Sequence, residues 1–93
     1  MIIMNKLEER NLVWHLVELI IEKHGLENSS EFLDPVAEDE IVFGNFVKGH
    51  PMSFTGDFEE LVIEITRKLP GSYEIARDYM LDDASGVIGI VKI

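Results

Sequence analysis

The chain has 93 residues, 18 acidic and 8 basic side chains, a net charge of −10 and no cysteine. A chain of this length forms one domain and buries about 60–65% of the surface its unfolded form exposes. Without thiols, disulfides, thiolate metal sites and cysteine nucleophiles are excluded, and the acid excess disfavours direct contact with nucleic acid or anionic lipid.

The opening "MIIMNKLEER" has an apolar run of four residues followed by charges, which does not read as a secretion signal. No run is long enough to span a bilayer, so a cytoplasmic protein is expected. Residues 5–24 read as the first helix, with Asn5 as cap, Glu8 in the reciprocal position and Gly25 as stop. Leu12, Leu16, Leu19 and Ile20 form one stripe, widened by Val13 and Val17 and extended by Trp14 and Ile21. That arc is wide for a helix lying on one surface. It implies either a sandwiched helix or a homodimer through the first helix at Trp14.

Residues 26–39 read as a connector. Residues 40–48 alternate, with Ile41, Phe43 and Val47 on one side and Val42 and Phe46 on the other. Gly44 and Asn45 interrupt the run and predict a bulge or an Asn-containing turn. After "KGHP", residues 52–55 read as a short strand. The next helix is capped by Asp57 with Glu60 as reciprocal partner, and it buries Phe58, Leu61, Val62, Ile65 and Leu69. Arg67 and Lys68 suit its negative end, and Pro70-Gly71 stops it.

In residues 72–81, Tyr73, Ile75, Arg77, Tyr79 and Leu81 alternate against Glu74, Ala76, Asp78 and Met80. "DDASG" is a five-residue hairpin loop in which Gly86 supplies a positive φ. Residues 87–93 form the last strand. The expected fold is one small α+β domain, order α-β-β-α-β-β, with helices packed on one face of an antiparallel sheet.

Motifs that carry chemistry are scarce. His15, His24 and His50 fall in different elements and show no metal-ligand spacing. Asp78, Asp82 and Asp83 could attract a divalent cation, but "DDASGVIGI" lacks calcium-loop spacing, and turn formation accounts for the aspartates. No nucleophile elbow or Walker loop is present. The sequence therefore assigns no catalytic residue, metal or cofactor. It favours a binding module whose acidic face steers a basic protein partner and whose aromatics anchor it. Glu74 and Asp78 are expected on one strand face, with Tyr79 as anchor and Asp82 and Asp83 continuing past the strand end. Glu38, Asp39 and Glu40 form a second acidic cluster.

The pieces "MSFTG", the helix from Phe58 to Leu69, "PGSY" and Asp82-Asp83 together resemble one family of bacterial immunity proteins of polymorphic and contact-dependent toxin systems. In that family a strand ending in Gly is followed by an amphipathic helix, Pro-Gly-Ser-Tyr-Gly, a strand, an acidic pair and a final strand. Glu74 stands where the family has Gly, and Asp57 stands where an Asn-His-Arg element begins. The resemblance covers the C-terminal half. It implies that the protein binds a cognate toxin, often a basic nuclease, and neutralises it. A phage-encoded inhibitor or DNA mimic acting on a host nucleic-acid-binding protein is the alternative reading of the same acidity, and a small enzyme is a third.

Overall fold

The computed structural model describes residues 6–28, 40–46, 51–82 and 85–93, with their side chains except at 6–7 and 51–54. Its elements run α1 (Lys6–Lys23), β1 (Ile41–Gly44), α2 (Pro51–Lys68), β2 (Tyr73–Met80) and β3 (Gly86–Lys92). The strands form an antiparallel sheet in the order β1-β3-β2. The α+β class and the antiparallel sheet agree with the sequence reading. The order differs, because residues 52–55 are the opening of α2 and not a strand.

The cause is at the helix start. Pro51 occupies the first helical position, where its missing N–H costs no hydrogen bond and its fixed φ already suits the helix. Asp57 consequently lies inside the helix and is not its cap. The 3–4 residue apolar spacing of Phe58, Leu61 and Ile65 begins, in sequence, at Phe54.

α1 ends as its glycine dictates. Gly25 has φ 73°, Leu26 N–H donates to the Ile21 carbonyl at 3.1 Å and Gly25 N–H to that of Glu22 at 2.9 Å. This doubly bonded stop uses the left-handed conformation that only glycine adopts cheaply. It also delivers Leu26 into the core. Asn5 lies outside the described residues.

One core joins all five elements. It takes Val13, Val17, Ile20 and Ile21 from α1, Phe58, Leu61 and Ile65 from α2, and Ile41, Phe43, Tyr73, Ile88 and Ile90 from the strands. Each such apolar side chain contributes about 1.5–3 kcal/mol by leaving water. The buried stripe of α1 is rotated from the expected one: Leu12 (55% exposed) and Leu19 (64%) face outward. Trp14 is half-buried and stacks on Phe43 with ring centroids 6.4 Å apart. It packs against the core with part of its ring surface exposed.

β1 stops where Gly44 and Asn45 interrupt the alternation. Asn45 and Phe46 have φ values of 82° and 37°, an unusual pair for residues with a Cβ. The turn swings Phe46 back into the core, fully buried and 6.0 Å from the Phe58 ring. Asn28 ties this corner to α1, accepting from Gly44 N–H at 3.0 Å and donating to Glu18 at 3.0 Å.

β2 carries a bulge. Ile75 faces Ile90 and Arg77 faces Gly89, leaving Ala76 as the extra residue. Side chains alternate across a strand, so the bulge shifts the phase of everything after it. Tyr73, Ile75, Asp78 and Met80 point toward the helices. Glu74, Arg77 and Tyr79 point to the other face. The expected shared face of Glu74 and Asp78 is thereby overturned. Gly86 also differs from expectation: it lies in β3 without a positive φ, and a Cβ there would sit 2.6 Å from the Phe58 ring.

A candidate partner-binding groove between α2 and β2

Asp78 reaches the helix side of β2 because of the bulge. There it meets the outward turn of α2. Phe58 and Val62 form an apolar floor, Ile63 is 56% exposed, and Glu59 and Asp78 are exposed carboxylates lining the same groove. The groove holds about 250 Å³ and is open to solvent. An apolar floor flanked by two carboxylates suits the long aliphatic stem and charged head of a lysine or arginine.

The other proposed contact residues are dispersed. Glu74 is exposed on the face away from the helices, across from Val91. Tyr79 shares that face, 43% exposed, and its hydroxyl accepts from Arg77 Nη1 at 3.3 Å. Asp82 serves the hairpin turn, accepting from Ser85 Oγ at 2.8 Å. Asp83, Glu38, Asp39 and His50 lie outside the described residues.

Glu40 does not belong to a solvated acidic cluster. It is 2% exposed and takes Arg77 Nε and Nη2 on its two oxygens, each at 2.8 Å. Hydrogen bonding to Glu40 raises the Arg77 pKa further above its ordinary value. The pair fits because Gly89, the β3 residue between them, has no side chain: a Cβ there would collide with Glu40 Oε2. Arg10 of α1 adds a hydrogen bond to the Glu40 carbonyl at 3.1 Å.

A second carboxylate gathers cations at the rim. Glu64 meets Lys23 at 3.0 Å, Lys68 at 3.1 Å and His24 at 3.1 Å. Hydrogen bonds from Lys23, then Lys68 and His24, hold its pKa at about 2. Lys92 pairs with Glu9 at 3.3 Å. Most described cations are therefore engaged within the fold, whereas Glu22, Glu27, Glu59, Glu60, Glu74 and Asp78 stand exposed.

No family model, curated protein or solved structure matches this chain. The likeness to immunity proteins therefore rests on the quoted residues of the C-terminal half. Among the described residues no group of three or more His, Asp or Glu is placed to hold a metal ion, and no helix is long and apolar enough to cross a membrane.

Sequence reasoning missed Phe58, Glu59, Val62 and Ile63 as site residues. Val62 fell in the apolar stripe, and Ile63 on the opposite flank was an available signal. An exposed isoleucine beside Glu59 on an amphipathic helix is the kind of residue an interface uses.

Proposed function

We propose that this chain is an acidic protein-binding module that captures a basic protein and neutralises it, as immunity proteins do with nuclease toxins, in the cytoplasm. The observation that carries the reading is the α2–β2 groove, where Ile63 and the Phe58–Val62 floor lie between Glu59 and Asp78. Internal ion pairs engage most of the described cations, so the exposed carboxylates dominate the long-range field and steer a positively charged partner toward the groove. Affinity then comes from a cationic side chain seated between the carboxylates with its stem on the apolar floor.

The test is capture of a partner by the tagged chain from its native host. A basic protein is expected to co-purify at near one-to-one stoichiometry, and the double substitution Glu59→Lys/Asp78→Lys to lose it. Glu27→Lys, exposed elsewhere, should retain it. Equal retention by the double variant, or a partnerless chain when suspected partners are expressed, contradicts the proposal.

A further inference from the structure

The candidate groove runs along the open side of β2. The sheet order sets β3 on one side of β2, and among the described residues no strand lies against the other. Of the two flanks of α2, the one carrying Glu64 faces α1 through Lys23 and His24. At about 100° per residue, Glu59 and Val62 fall on the opposite flank. The groove they form with Asp78 therefore opens at the outer edge of β2 and not between the helices.

The register fixes which backbone groups face outward there. Leu81 N–H donates to the Ser85 carbonyl at 2.8 Å, whereas the Gly86 carbonyl turns to the β1 side and accepts from Asn45 N–H at 3.0 Å. Opposed residues of an antiparallel ladder alternate between bonded and unbonded pairs. Tyr79 and Arg77 are thus bonded to β3, opposite Val87 and Gly89, while Asp78 and Met80 direct N–H and C=O away from it. An outward donor and acceptor on Asp78 consequently sit beside its own carboxylate, at the mouth of the groove. The other edge of the sheet offers less. β1 has four residues, all buried, and Asn28 bridges to Asn45 at its end. β2 has eight, among them the exposed Ala76, Asp78 and Tyr79.

We propose that the captured partner adds an extended basic segment to the outer edge of β2 as a further antiparallel strand. This rests on the capture of a basic partner proposed above and names the part of it that docks. Main-chain bonds to Asp78 and Met80 hold the segment, and the antiparallel sense is the stronger pairing. A residue opposite Asp78 projects to the same side of the sheet, so a lysine or arginine there enters between Asp78 and Glu59 with its stem on the Phe58–Val62 floor. Its neighbours project to the other side, beside the 43% exposed Tyr79, where an apolar residue fits. A second copy of β2 is disfavoured as the occupant. It would bring another Asp78 carboxylate to the groove, and each chain carries a net charge of −10.

The probe is a blocked pentapeptide of alternating valine and lysine, titrated to about 5 mM against the whole chain, with amide hydrogen exchange read residue by residue. Exchange at Asp78 and Met80 should slow several-fold, while Arg77 and Tyr79, already bonded to β3, should change little. N-methylation of the peptide's lysine nitrogens, which face β2 in the antiparallel register, should abolish the protection. N-methylation of its valine nitrogens, which face away, should leave it. The matching valine–glutamate peptide should protect neither amide. Any other pattern overturns the added strand. If Glu59→Lys/Asp78→Lys loses the native partner yet the lysine peptide protects neither amide, the added strand falls while the groove remains the capture site.

Discussion

Glu40 and Glu64 both hold cations, but in opposite surroundings. Glu40 is buried at the sheet and holds Arg77 in a two-point fork. Glu64 is at the helix rim, with Lys23, Lys68 and His24 around a carboxylate still one-fifth exposed. A buried pair must replace the water that both charges lose, so removing one partner leaves an expensive remainder. A rim cluster is screened by water and salt, so its partners can be exchanged at small cost. The number of cations around a carboxylate is therefore a poor guide to what holds the fold together. Burial decides.

The buried pair offers the largest effect. Glu40→Gln is expected to destabilise the fold by about 3 kcal/mol, because Arg77 keeps its charge and loses the carboxylate it forks onto. The double substitution Glu40→Leu/Arg77→Leu should recover much of that loss. Urea unfolding of the two variants checks this, and equal destabilisation would mean that the pair has a net role beyond mutual compensation. Gly89→Ala is expected to cost about 1–3 kcal/mol by driving a methyl into Glu40 and Arg77.

Glu64 gives a smaller, pH-shaped effect. Its folded pKa of about 2 lies below the ordinary 4.5. Its contribution is therefore fully present above about pH 4.5 and is lost as pH falls toward 2. The difference in urea midpoint between wild type and Glu64→Gln should shrink across that window. A difference that stays constant from pH 6 to pH 2.5 would show that the charge cluster is not its source. Smallest of all, Glu59→Lys or Asp78→Lys should change stability by less than about 0.5 kcal/mol, since both side chains are exposed. Their effect belongs to capture.

The contrast also marks what the sequence could disclose. α2 was legible from Phe58 onward because the spacing of Phe58, Leu61 and Ile65 is strictly helical. Its first two turns were not, because Met52, Phe54 and Thr55 suit a strand locally and only Pro51 points to a helix start. The Gly25 stop and the Asn45 turn were readable because single residues with special backbone freedom determine them. Which flank of α1 is buried was not, since Leu12 and Val13 are equally apolar and packing against the sheet selects Val13. The bulge at Ala76 has no signature in an alternating run, yet it separates Glu74 from Asp78 and so redraws the candidate site. Glu40 looked like one more surface acid beside Glu38 and Asp39; its pairing with Arg77 over Gly89 spans the chain and leaves no local trace.

The most direct measurement is the rate at which the captured basic partner associates with wild type and with Glu59→Lys/Asp78→Lys, at low and high salt. The account predicts a wild-type on-rate that falls steeply with salt, and a slower, less salt-dependent one for the double variant. Identical rates and identical salt dependence for the two proteins would remove the α2–β2 groove from the interface.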